Sequence, residues 1–196
     1  MDIKDQKIIL ASSSPYRKEL LKRLDITFTT VSPDVNERYF QDELISDYVL
    51  RLAKTKAESI VSKNDNSLII AADQALQCDK KILGKSGNYN KAKEQLIFMS
   101  NRSLTFYTGL CLINTETKII EEDVVSFRVD FRKLTESEIK NYLVKEKPYD
   151  CAGSFKLEKL GISLLKKMNG DDPTALIGLP LIRLCKMLRN QGVNIP

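Results

Sequence analysis

The sequence of 196 residues contains no histidine. This absence excludes Ser-His and Cys-His nucleophilic pairs, a histidine general base and histidine metal ligands. Any chemistry must therefore come from carboxylates, lysines, arginines, tyrosines or a metal held by oxygen ligands. Cysteine is also sparse and widely spaced, with no C-x-x-C pair, which predicts four free thiols rather than a disulfide framework or a zinc site. These cysteines are Cys78, Cys111, Cys151 and Cys185.

Long apolar runs are absent as well, since no stretch approaches the roughly 20 residues that a membrane helix needs. Residues 1–7 are polar and mixed in charge, and the apolar run over 8–11 is too short for a signal-peptide core. We therefore expect a cytoplasmic protein without a membrane partner. The net charge of +5 suits an anionic ligand, but lysine and arginine are dispersed among 26 acidic residues, which argues against a nucleic-acid partner.

Short apolar runs alternate with amphipathic segments, and an antiparallel pair of strands is inserted in the middle of the chain. The pattern predicts an α/β fold in one domain over 1–196, with an elongated mixed β-sheet flanked by helices. The predicted strands cover residues 8–11, 27–31, 68–72, 76–83 (as a hairpin), 104–113, 119–131 and 162–168. Five helices are predicted. The first begins at Pro15, and the others cover residues 44–61, 90–99, 135–144 and 181–189.

The start of the first helix carries an unusual charge pattern. Ser14 is a good N-cap and Pro15 suits the first helical position, but Arg17 and Lys18 follow in the opening turn. Cations at a helix N-terminus are mildly unfavourable. Free backbone N–H groups together with two cations make a good phosphate site. The pattern is also compatible with two solvated surface charges.

Two further positions break the local pattern. Asp73 directly follows the predicted strand over 68–72, and ligands of open α/β sheets bind at the carboxyl ends of strands. A carboxylate there can hold a metal or take a proton from water, or it can simply form a turn. Lys56 is the polar exception in the apolar stripe of the helix over 44–61.

Two glycine-containing segments are weaker candidates. Lys85 follows Gly84 after the predicted hairpin, where a lysine can reach a phosphate or lie on the surface. The turn that begins at Gly153 carries Lys156 and Glu158, a cation and a carboxylate that could bind the edge of a nucleotide base.

Several short motifs follow one another along the chain: Leu10–Leu21, Arg51–Ala57, Ala72–Gln74, Leu83–Lys85, Tyr107–Gly109 and Gly178–Leu181. In this order, from Ile8 to Gly192, they resemble the Maf family of nucleoside triphosphate pyrophosphatases. The resemblance implies a Maf/ITPase-like fold, hydrolysis between the α and β phosphates, a divalent cation (Mg²⁺ or Mn²⁺) and a homodimer.

The resemblance also implies residue roles. Asp73 would be the catalytic base, and Asp73 with Glu37 would hold the metal. Lys18 is a departure, because many members have arginine there and lysine lacks the bidentate fork. The residues that would bind the triphosphate are Ser12, Arg17, Lys18, Lys56 and Lys85.

Three positions resemble the branch of the family that hydrolyses 7-methyl-GTP: Tyr16, Gln74 and Glu158. The branch that cleaves dTTP and UTP has arginine at the position of Tyr16 and glutamine at that of Glu158. One carboxylate, Glu158, can accept both N1–H and the amino group of guanine. Tyr16 can stack on a base made cationic by methylation at N7. We therefore expect hydrolysis of 7-methyl-GTP to 7-methyl-GMP and pyrophosphate, a nucleotide house-cleaning role.

Other functions stay open at this point. The chain could cleave other modified or pyrimidine triphosphates, in which case dTTP or UTP would be the better substrate. It could instead be a non-catalytic binding protein that regulates division, which would have no need for Asp73 and several converging cations. Hydrolysis of a nucleotide panel separates these possibilities.

Overall fold

The computed structural model describes residues 6–196, which form seven strands and five α-helices. The strands are β1 (Lys7–Ala11), β2 (Thr29–Val31), β3 (Ser67–Cys78), β4 (Lys81–Leu83), β5 (Ser103–Asn114), β6 (Ile120–Phe131) and β7 (Leu165–Asn169). The helices are α1 (Pro15–Lys22), α2 (Ile45–Glu58), α3 (Tyr89–Met99), α4 (Glu136–Glu146) and α5 (Leu181–Asn190). Short 3₁₀ helices cover Val61–Lys63, Leu160–Leu164 and Pro173–Ile177.

All seven strands form one mixed sheet in the order β2-β1-β3-β5-β6-β7, with β4 paired to β3. β1 is parallel to both β2 and β3, so that Leu10 lies opposite Thr30 and Ile70. The β3–β4 and β6–β7 pairs are antiparallel. The predicted α/β fold with a mixed sheet flanked by helices is therefore confirmed.

Contacts group the described residues into two compact units. The first contains the residues up to Gln74 together with 108–125 and 174–196, and the second contains 75–107 and 126–173. No helix in the described part of the chain is long and apolar enough to cross a membrane. All four cysteines are free, as predicted, and burial raises the pKa of Cys111 to about 12.

The sheet of the first unit is covered by helices on both faces, which explains why β1 and the first half of β3 are continuous apolar runs. One face of β3 packs with leucines of α1 and α5, and the other face packs with alanines of α2. Because successive strand residues point to opposite faces, Asp73 and Gln74 lie on different sides of the sheet. The β3 residues on the α1/α5 face are Leu68, Ile70 and Ala72, and those on the α2 face are Ile69 and Ala71.

The second unit has a core of aromatic and aliphatic side chains, in which the ring of Phe155 lies 5.4 Å from that of Phe131 and 6.0 Å from that of Phe106. α4 begins with a capping box in which Thr135 and Glu138 exchange hydrogen bonds. The backbone N–H of Thr135 and the side chain of Arg132 lower the pKa of Glu138 to about 2.

One predicted boundary is wrong in a way that matters for function. The strand expected over 68–72 continues to Cys78, so Asp73 lies inside β3 and does not follow it. The polar pair Asp73–Gln74 disfavours strand structure locally, but β5 runs beside β3 and the β3–β4 hairpin pairs Leu76 with Leu83. Pairing with these neighbours overrides the local preference.

Two smaller boundaries also differ. The helix predicted over 44–61 ends at Glu58, and Val61–Lys63 forms a separate 3₁₀ turn. The strand predicted over 162–168 begins only at Leu165, because Leu160–Leu164 forms a 3₁₀ helix.

Gly109 sets how closely α2 approaches the sheet. A Cβ atom at this position would lie 2.3 Å from the backbone oxygen of Val49, which cannot move without displacing α2. We expect Gly109→Ala to lower the free energy of unfolding by about 1–3 kcal/mol. Thermal or urea unfolding measures this change. Gly84→Ala is the control, because nothing lies within 4 Å of its added Cβ; equal losses in the two variants would contradict the explanation.

Candidate functional site

The first part of the site is the turn between β1 and α1. Ser12 follows β1 directly and is buried, and its Oγ accepts a hydrogen bond from the backbone N–H of Ser14 at 3.1 Å. Ser14 is the N-cap of α1, with its Oγ accepting from the N–H of Arg17 at 3.4 Å, and Pro15 occupies the first helical position. The predicted cap is therefore confirmed, and the turn has a fixed geometry.

Arg17 is a half-buried cation held at two points. Its Nε donates to the backbone oxygen of Gly178 at 2.8 Å, and its Nη1 donates to Ser12 Oγ at 3.4 Å. Burial lowers the pKa of Arg17, while the carboxylates of Asp73 and Glu37 act in the opposite direction. The guanidinium keeps its charge at neutral pH, because arginine does not deprotonate in proteins.

A buried ion pair joins α2 to β3. The side chains of Lys56 and Asp73 are only 7% and 10% exposed, and Lys56 Nζ donates to Asp73 Oδ1. Lys56 Nζ also lies 2.7 Å from Oε1 of Glu37, which comes from the segment between β2 and α2. Because a buried charge is strongly destabilising without a partner, Asp73 requires Lys56, whereas Lys56 has carboxylate partners in both Asp73 and Glu37.

Four charges thus share one region of the first unit: the cations of Arg17 and Lys56 and the carboxylates of Asp73 and Glu37. Two carboxylates from different segments meet at one ammonium group, and carboxylate oxygens are ligands that Mg²⁺ and Mn²⁺ accept. Within residues 6–196, no three acidic, histidine or cysteine side chains form a metal-binding group. A cation here would therefore depend on these two carboxylates plus substrate phosphate and water, which is the usual environment of protein-bound Mg²⁺.

Gln74 faces the opposite side of β3 and makes several contacts there. Its Nε2 donates to the backbone oxygens of Ala175 at 2.7 Å and Leu176 at 3.2 Å, and to Thr108 Oγ1 at 3.2 Å. Thr108 Oγ1 in turn donates to the oxygen of Ala175 at 2.9 Å. The amide nitrogen of Gln74 is therefore used within the first unit, and a ligand would have to use its amide oxygen.

Two further candidate residues, Lys85 and Glu158, lie in the second unit. Lys85 is exposed and pairs as an isolated antiparallel bridge with Ala152. The backbone oxygen of Gly84 accepts from the N–H of Gly153 at 3.1 Å and from Gln95 Nε2 at 3.0 Å. The segment of Lys85 is thereby tied to the turn that leads to Glu158, whose side chain is exposed.

The structure brings Ser12, Arg17, Glu37, Lys56 and Asp73 together in the first unit. Tyr16 is half-buried on α1, and Lys18 is exposed on the same helix. Sequence reasoning missed three residues near Glu37: Tyr48, Arg51 and Glu43. Tyr48 donates to the backbone oxygen of Glu37, and Arg51, which pairs with Glu43, donates to that of Arg38. The available signal was that Arg51 belongs to the same motif as Lys56.

Comparison with known proteins gives a consistent result. The family model described as "Maf-like protein" matches residues 7–191. The chain is 49% identical to a Pseudomonas syringae pv. syringae protein named 7-methyl-GTP pyrophosphatase, over 96% of this chain and 98% of the relative. Proteins of the same name from Nitrosococcus oceani and Pseudomonas aeruginosa are 48% and 47% identical, over 96% of this chain and 94% and 98% of the relative, respectively. The chain therefore belongs to the Maf family.

Proposed function

We propose that this protein hydrolyses 7-methyl-GTP to 7-methyl-GMP and pyrophosphate. The observation that carries the proposal is the buried Lys56–Asp73 pair, which lies beside Glu37 and Arg17 in a chain 47–49% identical to relatives named 7-methyl-GTP pyrophosphatase. A buried ion pair between a helix and a strand is costly to maintain for stability alone. Catalytic carboxylates and lysines are a common reason for such an arrangement.

Asp73 accepts a proton from the attacking water. Lys56 donates to Oδ1 of Asp73, so that Oδ2 is the oxygen that takes the proton. The hydroxyl oxygen forms a bond to the α-phosphorus, and the bond from that phosphorus to the α–β bridging oxygen breaks. Pyrophosphate leaves with the bonding electron pair. The lysine orients the carboxylate before the proton arrives.

The cations compensate the charge of the triphosphate. Arg17, held by Gly178 and Ser12, is fixed before substrate arrives, so little reorganisation is needed on binding. The Ser12 hydroxyl adds a hydrogen-bond donor, and the start of α1 adds the positive end of the helix dipole. Lys18 on α1 and Lys85 in the second unit keep the phosphate-binding roles that the resemblance implies.

A divalent cation, Mg²⁺ or Mn²⁺, would be held by Asp73 and Glu37. When bound, it would neutralise charge on the phosphate oxygens. Glu37 is 59% exposed in its side chain, and a hydrated ion with its phosphate ligands needs such open access. Lys56, which contacts both carboxylates, would limit their mutual repulsion before the cation binds.

Specificity for the methylated base would come from three residues. Glu158 accepts N1–H and the amino group of guanine, and Tyr16 stacks on the cationic ring. Gln74 contributes through its amide oxygen or by holding Ala175 and Leu176, because its amide nitrogen is occupied.

Pyrophosphate release from 7-methyl-GTP, GTP, dTTP, UTP and CTP, with Mg²⁺ or Mn²⁺, tests the proposal. We expect 7-methyl-GTP to have the highest kcat/KM. A preference for dTTP or UTP would keep the chemistry but overturn the assigned base. No hydrolysis of any nucleotide by the folded protein would favour a non-catalytic binding role.

Asp73→Asn should lower kcat by about 10²–10⁴-fold, the usual contribution of a general base. The variant keeps the shape of the side chain, and Lys56 keeps Glu37 as a charged partner, so the fold should persist. Steady-state kinetics and a melting curve measure both effects. Asp123→Asn, in the exposed Arg183–Asp123 pair of the same unit, is the matched control with unchanged kcat. A turnover near that of the wild type in Asp73→Asn would remove Asp73 from the reaction.

Tyr16→Arg should lower the preference for 7-methyl-GTP over GTP, because the introduced cation repels the N7-methylated ring. Loss of a cation–π contact of about 0.5–2 kcal/mol corresponds to a roughly 2- to 30-fold change in the ratio of kcat/KM values. Tyr16→Phe keeps an aromatic face and should retain the preference. If Tyr16→Arg and wild type show the same ratio, the ring does not stack on the base.

A further inference from the structure

Glu37 lies in a segment without regular secondary structure. From Ser32 to Leu44, between β2 and α2, the chain forms neither helix nor strand. The position of Glu37 is therefore not set by sheet or helix hydrogen bonds. Its ion pair with Lys56 is partly exposed, and pairs of this kind contribute little by themselves. Other contacts must hold the carboxylate in place.

Two side chains of α2 hold the backbone at this point. The hydroxyl of Tyr48 donates to the backbone oxygen of Glu37 at 3.0 Å. Arg51, one turn further along α2, donates from Nη2 to the backbone oxygen of Arg38 at 3.1 Å. Two consecutive carbonyl groups are thus fixed by the helix that also carries Lys56.

Arg51 is also fixed by a second part of the segment. Its Nε and Nη2 lie 2.6 Å and 2.7 Å from the two carboxylate oxygens of Glu43, which is a bidentate geometry. The guanidinium stacks 4.2 Å from the ring centre of Phe40 and 5.6 Å from that of Tyr48. The hydrogen bond raises the pKa of Arg51 and lowers that of Glu43.

We propose that Arg51 is a positioning residue that acts through Glu37, an inference that rests on the proposed function. Its guanidinium joins Glu43 to the oxygen of Arg38 and thereby keeps Glu37 against Lys56. Glu37 in turn shares the ammonium of Lys56 with Asp73. The bidentate fork and the stacking on Phe40 are features of arginine, and lysine cannot reproduce them.

A double-mutant cycle tests whether Arg51 acts through Glu37. We expect Arg51→Gln and Glu37→Gln each to lower kcat for nucleotide hydrolysis by about 10- to 100-fold, as removal of groups that orient catalytic ligands does. KM should change by less than about threefold, because Arg17 and the start of α1 are untouched. The double variant should lie within about threefold of Glu37→Gln alone. If the losses of kcat in the two single variants instead multiply in the double variant, Arg51 acts independently of Glu37, and the proposal is overturned.

Two further variants separate positioning from general structural support. Arg51→Lys keeps the charge and loses the fork, so we expect it to be as impaired as Arg51→Gln; wild-type kcat in this variant would contradict the proposal. Arg183→Gln breaks an arginine–carboxylate pair of 2.7 Å in the same unit and should leave kcat unchanged. Melting curves of all variants identify any that fail to fold.

Hydrogen–deuterium exchange gives a readout that does not depend on activity. Amides of residues 36–44 should exchange about tenfold faster in Arg51→Gln than in the wild type, because local opening becomes easier. In Glu37→Gln they should be unchanged, since Tyr48 and Arg51 still hold the backbone. Unchanged exchange in Arg51→Gln would overturn the positioning role even with an active wild type. If the wild type cleaves no nucleotide but residues 36–44 exchange faster in Arg51→Gln, the proposed function is refuted, while the contact of Arg51 with this segment is supported.

Discussion

The burial of the Lys56 ammonium against the Asp73 carboxylate is the constraint on which the candidate site depends. Both residues are less than 10% exposed, so the Asp73 carboxylate is stable only while Lys56 stays within hydrogen-bond distance. This requirement fixes α2 against the middle of β3. The close approach that Gly109 permits between α2 and the sheet serves the same arrangement, because a bulkier residue would push the helix outward.

β3 can carry Asp73 because it changes neighbours along its length. Its first half pairs in parallel with β1, which ends at Ala11, and its last residues pair in antiparallel with β4. Asp73 lies between these two regions, just beyond the end of β1, where the chain turns into α1 and places Ser12 and Arg17. The charged residues thus occur at the carboxyl end of the parallel strands, although β3 itself continues.

Charge balance distinguishes this region from a simple cationic phosphate site. Two carboxylates accompany the cations of Arg17 and Lys56. One of them, Glu37, is carried by a segment without helix or strand, which side chains of α2 contact at the backbone oxygens of Glu37 and Arg38. The arrangement keeps one carboxylate rigid and buried while the other is accessible to solvent. The proposed hydrolysis would use both properties: a fixed group that acts on water and an open group that would accept an ion.

The sequence by itself determined the α/β class, the helix cap at Ser14, and the place of Lys56 in the apolar stripe of α2, because these depend on periodicity and on groups a few residues apart. The motif order also identified the family, which the comparison confirmed. Only the tertiary structure decided that β3 continues past Asp73, that Gln74 Nε2 donates to the backbone oxygen of Ala175, and that Arg51 donates to the backbone oxygen of Arg38. The residues that make these contacts are far apart in the sequence: 13 residues separate Arg38 from Arg51, and 161 separate Arg17 from Gly178. Contacts of this kind depend on tertiary packing, which no local sequence pattern encodes.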